Sequence, residues 1–204
     1  MLNQMGRNTR QLELRFASRG GRRPGAGRKP NGERAGVSHL KRPQFARPLP
    51  AHVTMRMARH VYNLRRRRAF SVVGRAITKA ADRFGMRIVR FSVQGNHIHL
   101  VVEAAETDAL SRAMQGFSIR VAKGLNAIMK KQGRVLADRY HARVLRTPTE
   151  VRRAVVYVRD DARKHFAELG RPLPRGYADE YASEGAGIEL PRARTWLLRA
   201  NAPP

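Results

Sequence analysis

Between residues 51 and 170 the sequence predicts an α+β domain, an antiparallel sheet backed by helices. Three observations carry this reading. Short stretches alternate apolar and polar residues, as strands do; longer stretches repeat apolar residues every three or four positions, as amphipathic helices do; and Gly, Asn and Pro punctuate them.

The periodic part opens at His52. Val53-Thr54-Met55-Arg56-Met57 alternates and reads as a first strand. Beyond the basic run Arg65-Arg66-Arg67-Arg68, a helix fits 71–84, with Val73, Ile77, Ala80, Ala81 and Phe84 as its apolar stripe and Gly85 as a left-handed cap. Residues 88–94 read as a second strand with Val89, Phe91 and Val93 on one face. Gly95-Asn96 makes a hairpin turn into a third strand over 97–103. There, alternation puts His97 and His99 on one surface and points Ile98, Leu100 and Val102 into a core. A second helix spans 107–131, with Leu110, Met114, Phe117, Val121, Leu125 and Ile128 in helical register and Gly133 to close it. Residues 142–145 are strand-like. Thr147-Pro148-Thr149-Glu150 then starts a third helix by reciprocal capping, with Thr147 as N-cap and Pro148 in the first turn; it runs to about 169, before Gly170 and Pro172.

Strand, helix, strand, strand, helix, strand is the ferredoxin-like, or split βαβ, order, here with an extra C-terminal helix. Helices would cover one sheet face. The other, carrying His97 and His99, would be free to line a site.

The 204-residue chain has a formal charge of +27, from 42 Lys+Arg against 15 Asp+Glu, which points to a polyanionic partner. Arginine predominates, and its planar fork suits phosphate, which favours nucleic acid over a membrane surface. The chain has no cysteine, which excludes disulfides and zinc-thiolate sites. With no signal-like start and no apolar run of membrane-spanning length, the expected location is the cytoplasm, in association with the nucleoid. Residues 1–50 are rich in Lys, Arg, Gly and Pro and poor in large apolar residues, the composition of a disordered basic DNA-binding arm. Within it, Gly21-Arg22-Arg23-Pro24 and Gly27-Arg28-Lys29-Pro30 resemble the cores of AT-hook peptides, making Arg22, Arg23, Arg28 and Lys29 candidates for minor-groove contact; non-specific phosphate binding accounts for the same residues. Residues 171–204 form a Gly/Pro-rich tail apart from Arg194-Thr195-Trp196-Leu197-Leu198.

Two histidines on one strand are fewer ligands than a metal site needs. The third helix offers more. Its apolar stripe is Val151, Val155, Val158, Ala162 and Phe166; at about 100° per residue Tyr157 lies roughly 140° from the stripe's centre, with Asp161 one turn on and Lys164 and Glu150 nearby. A tyrosine beside an acidic ligand and a cation can act as a phosphoryl nucleophile.

His52-Val53-Thr54 with Arg56, Gly95-Asn96-His97-Ile98-His99-Leu100-Val101-Val102 and Tyr157-Val158-Arg159-Asp160-Asp161 together resemble the single-tyrosine transposases of the His-hydrophobic-His (HUH) superfamily. The resemblance is closest to the REP-associated tyrosine transposases, with their IS200-like domain, and covers roughly 50–170. It implies Tyr157 as nucleophile, and His97, His99 and Asp161 as ligands of Mg²⁺ or Mn²⁺. It also implies cleavage of single-stranded DNA near a hairpin through a 5′-phosphotyrosine link, by a monomer or homodimer. Close relatives usually carry Asn-Pro where this chain has Asp161-Ala162; Asp is the better ligand for a hard cation. His52, Arg56 and Lys164 are candidates to support the ligands or touch substrate, and Arg90 and Arg120 to bind the DNA backbone. Tyr140, beside His141, is a rival nucleophile in an irregular segment. A two-histidine phosphoesterase would need a second His-x-Thr/Ser motif, which His97-Ile98-His99 does not supply. The alternative function is a domesticated relative that binds hairpins without cleaving. The site requires the last helix to turn its polar face, rather than its valine stripe, toward the histidine strand.

Overall fold

The computed structural model describes residues 44–201, so the arm cations Arg22, Arg23, Arg28 and Lys29 lie outside the described residues. In chain order the elements are β1 (Leu49–Arg56), α1 (Arg67–Ala80), β2 (Asp82–Arg83), β3 (Met86–Val93), β4 (His97–Ala104), α2 (Thr107–Met129), β5 (His141–Val144), α3 (Pro148–Glu168) and α4 (Trp196–Asn201). They build a five-stranded antiparallel sheet in the order β2-β3-β4-β1-β5. Without the two-residue β2 this is the split βαβ topology, since β1 and β3 flank β4 and α1 makes the crossover.

The periodic stripes drive the packing. From α1, Val73 and Ile77, and from α2, Leu110, Met114, Phe117, Val121 and Leu125 are all buried against Val53, Met55, Ile88, Phe91, Ile98, Leu100 and Val102 of the sheet. Each such side chain contributes about 1.5–3 kcal/mol by leaving water. The two helices approach closely at Gly124, where a Cβ would overlap the Val72 side chain. Val72 is β-branched, with little rotamer freedom in a helix. Gly124→Ala is therefore expected to lower the melting temperature despite the ~1 kcal/mol gain in helix propensity, because overpacking costs about 1–3 kcal/mol. Adding Val72→Ala should restore much of the loss.

Several boundaries differ from the sequence expectation, for local reasons. Helix α1 starts four residues earlier and ends at Ala80, short of Phe84. Phe84 and Gly85 instead take left-handed conformations (φ 53° and 73°) in the tight β2–β3 hairpin, and Phe84 stays exposed. In β3 the register shifts between Ile88 and Arg90, a bulge that turns Ile88 and Phe91 inward together and sends Val89 to the opposite face, away from Phe91 and Val93. Lys130, at φ 52°, rather than Gly133, ends α2. The capping box of α3 forms as expected: Glu150 N–H donates to Thr147 Oγ1, and the Glu150 carboxylate accepts from Thr147 N–H.

The second sheet face is not left free. Helix α3 crosses it with Val151, Ala154, Val155 and Val158 packed on Val101, Val89 and Leu145, and Leu198 of α4 completes this smaller core. Residues on both sides of the expected domain limits also pack on the sheet. Phe45 is buried in the main core and its N–H donates to Thr107 Oγ1 (2.8 Å). Past α3, Tyr181 and Ser183 hydrogen-bond to Val93 and Phe91 along the β3 edge that β2 leaves open. Asp179 accepts both guanidinium nitrogens of Arg65 at 2.8 Å, and buried Glu103 accepts the N–H groups of Arg194 and Thr195. No helix among the described residues is long and apolar enough to cross a membrane.

A candidate metal and nucleophile site

On the α3 side of β4 the outward residues run His97, His99, Val101, Glu103, and α3 lies along them in the reverse direction. Its valines cover Val101, and one turn later Asp161 arrives at the histidines. Asp161 is 2 % exposed, with Oδ2 3.8 Å from His99 Nε2 and 4.0 Å from His97 Nε2. The ligand atoms of His97, His99 and Asp161 all lie within 4.8 Å of one another, and this group could hold a metal ion. Two of those atoms, His99 Nε2 and Asp161 Oδ2, are buried with no hydrogen-bond partner. Buried polar atoms are seldom left so. The carboxylate–imidazole gaps of 3.8 and 4.0 Å are too long for hydrogen bonds, yet two ligands each about 2.1 Å from one cation can be up to about 4.2 Å apart. The donor set thus fits a cation that takes nitrogen and oxygen ligands.

Neighbours are compatible with one tautomer on each ring. His97 Nδ1 lies 2.8 Å from Asn96 Oδ1, and His99 Nδ1 lies 3.1 Å from Thr54 Oγ1 and 3.2 Å from His52 Nε2. An Nδ1 proton on each ring satisfies these contacts and turns the Nε2 lone pair toward Asp161, as metal-binding histidines require. All three histidines are held neutral. Burial, then the neighbouring histidines, lowers His99 to about 3; burial, then His165 and Arg56, lowers His97 to about 4; burial, then His141 and Arg143, lowers His52 to about 4. The unfolded chain takes up these protons near pH 6.5, whereas the folded chain resists them down to about 4. Metal-free protein is therefore expected to lose thermal stability as pH falls from 6.5 toward 4, readable by calorimetry in chelator. The raised pKa of Asp161 acts in the opposite sense at the acid end of that window.

Tyr157 leans over the site. Its ring centroid is 5.2 Å from that of His99, edge to face, and 5.6 Å from that of His52, and the residue is 42 % exposed. Burial, then the charges of Asp161 and Glu168, raises its pKa, so in the metal-free protein the phenol keeps its proton. Lys164 pairs with Glu168 on the same helix. Both ends of its pair with Glu168 (4.0 Å) are exposed, and it acts on Asp161 only as a minor electrostatic influence.

Among the other candidates, His52 joins the cluster through His99, and Arg56 sits opposite His97 in the β1–β4 register. Arg90 pairs with Glu184 at 2.5 Å, and Arg120 belongs to α2 on the other side of the sheet. Tyr140 is only 8 % exposed.

Sequence reasoning missed His165 and Gln94. His165 Nε2 is 3.7 Å from Asp161 Oδ1, its ring is 5.5 Å from that of His97, and its Nδ1 is 3.6 Å from Glu168. The 157, 161, 165 spacing, one turn per step, was the available signal. Buried Gln94 donates to Ser92 Oγ (2.9 Å) and hydrogen-bonds Asp161; nothing in its local sequence distinguishes it.

Fold and side chains together define a split βαβ domain with a His-hydrophobic-His pair on a sheet face, facing an acid and a tyrosine from one crossing helix. The chain belongs to the IS200-like transposases: the family model described as "Transposase IS200 like" matches residues 49–160, more than half of the 204 residues. No curated protein matches the chain in sequence. Among solved structures, it is similar to a REP-associated tyrosine transposase bound to a REP hairpin, at 16 % identity and TM-score 0.51, over 76 % of this chain and 100 % of that one. A candidate transposase from Deinococcus radiodurans aligns at 13 % identity and TM-score 0.42, over 66 % of this chain and 100 % of that one. At 16 % identity the likeness to the REP-associated transposase is one of fold.

Proposed function

We propose that the protein is a metal-dependent endonuclease and strand transferase for single-stranded DNA, acting at or near a hairpin through a 5′-phosphotyrosine intermediate. The observation that supports this best is the meeting of His97, His99 and Asp161 within 4.8 Å, with the Tyr157 ring 5.2 Å from His99. His97, His99 and Asp161 would hold Mg²⁺ or Mn²⁺. Bound there, the ion supplies Lewis-acid polarisation of the scissile phosphate and offsets charge growing on its oxygens.

The protein's own groups do the rest. Tyr157 gives its proton to solvent and its phenolate oxygen attacks phosphorus; the P–O3′ bond breaks, and the departing 3′ oxygen takes up a proton from solvent. One phosphodiester is exchanged for another. Attack by a 3′-OH on the phosphotyrosine therefore rejoins a strand and restores the phenol with no external energy source. With Nδ1 protonated on both rings, the contacts of His99 with His52 and Thr54 and of His97 with Asn96 would keep the Nε2 lone pairs aimed at the site. Arg56, beside His97 in register, is a candidate phosphate contact.

The neighbour solved with a REP hairpin supports a hairpin-associated substrate here. The surplus of cations supports DNA as the partner, with the basic arm over 1–50 adding sequence-independent affinity and keeping the protein on the nucleoid. The test is to incubate the protein with end-labelled hairpin DNA carrying single-stranded flanks, in Mn²⁺ and in EDTA. An SDS-resistant protein–DNA adduct in Mn²⁺ alone is the expected result. Tight binding with no adduct on a panel of flanks would instead indicate a hairpin-binding protein that does not cleave.

A further inference from the structure

One cavity beside the nucleophile has no role in the steps above. It measures about 300 Å³ and has His52, Arg143, Glu150, Arg153 and Tyr157 among its walls, of which His52 and Tyr157 also contact His99. We propose that it is a phosphate subsite, in which Arg153, assisted by Arg143, grips the phosphodiester next to the one that Tyr157 attacks. The inference rests on single-stranded DNA being the substrate, and it gives that substrate a defined path past the tyrosine.

Position supports it first. Arg153 precedes Tyr157 by four residues on α3, so the two share a helix face about 6 Å apart along the axis, a separation on the scale of one nucleotide step. Arg153 and Tyr157 both line the cavity.

Charge supports it next. Arg153 is exposed and has no acidic partner among the described residues. The single carboxylate in the cavity is already engaged: Glu150 accepts from the N–H groups of Arg146 and Thr147 and from Arg143 Nη2 at 2.9 Å. Arg143 engages Glu150 through Nη2 and keeps its other donors. Two arginines lining a cavity with one saturated carboxylate leave a net positive recess, and a guanidinium fork matches phosphate oxygens pairwise. Leu145 and Ala154 form an apolar floor suited to a sugar ring. A volume of about 300 Å³ is at the small end for ligand sites, room for one sugar-phosphate unit rather than a duplex.

The experiment uses the full chain and a labelled twelve-nucleotide oligothymidine, which needs no knowledge of the target sequence. Affinity is measured against salt for wild type, Arg153→Gln and Arg153→Lys. Loss of one phosphate contact on a single strand should flatten the slope of log K against log salt by about 0.7 for the Gln variant, with Lys restoring the slope. On a hairpin substrate that forms the adduct, Arg153→Gln should raise the half-saturating DNA concentration about fivefold, leaving the adduct rate at saturation unchanged. An unchanged slope and an unchanged half-saturation would overturn the subsite. So would a fall in the saturated rate alone, which would mean that Arg153 acts through the placement of Tyr157. The two readings fail separately: a flattened slope without any adduct leaves the subsite and removes the cleavage chemistry, and a normal adduct with wild-type half-saturation does the reverse.

Discussion

Tyr157→Phe should abolish the covalent DNA adduct, lowering its rate by more than about 10³-fold, to background. Tyr140→Phe should leave it close to the wild-type level. The contrast follows from where the two hydroxyls lie. Tyr157 is 42 % exposed at the mouth of the histidine cluster, with its ring 5.2 Å from His99. Tyr140 is 8 % exposed and belongs to the main core. Phenylalanine keeps the edge-to-face packing on His99 and the body of the side chain, so melting temperature and DNA affinity should hardly change. Only the oxygen is removed. Since burial and the charge of Asp161 keep the phenol protonated, the wild-type adduct rate should climb as pH rises above neutrality. An adduct from the Phe variant, with none from Tyr140→Phe, would move the chemistry to Tyr140.

Most of the domain was legible because its helices repeat apolar residues with the right period and its hairpin has an unambiguous turn. The β3 bulge was not, because alternation assumes an unbroken pleat and one extra residue reverses every inference beyond it. Phe84 extended the apolar period of α1 but sits in a left-handed turn, since chain reversal into β3 takes precedence over continuing the helix. The candidate site shows a subtler limit. Valine stripe and polar face looked like rival choices for what α3 turns to the sheet, yet both face it. Asp161 lies about 60° from Val158 and about 40° from Tyr157 around the helix, so it continues the buried face while flanking the tyrosine. Because α3 runs the length of β4, it meets valine partners first and histidines later. A helical wheel has no coordinate along its axis, so it could not separate these two halves.

That position makes Asp161 a residue on which stability and ion binding should pull in opposite directions. Its carboxylate is 2 % exposed, Oδ2 has no hydrogen-bond partner, and burial raises its pKa more than His165, Gln94 and Lys164 lower it. An incompletely compensated buried charge destabilises a metal-free fold, and an apolar residue of similar volume is often neutral or better. Asp161→Leu is therefore expected to melt at or above the wild-type temperature in chelator. In Mn²⁺ the order should reverse: wild type gains about 2.7 kcal/mol at 100 times its dissociation constant, and the Leu variant gains nothing. Asp161→Asn keeps an oxygen donor but no charge, so it should retain weakened binding, with a midpoint shifted to higher Mn²⁺. Calorimetric melts of the three proteins across a Mn²⁺ series read this out without any DNA. If Leu instead lowers the melt in chelator and all three respond equally to Mn²⁺, Asp161 supports the fold and the ion, where it binds at all, is held by other groups.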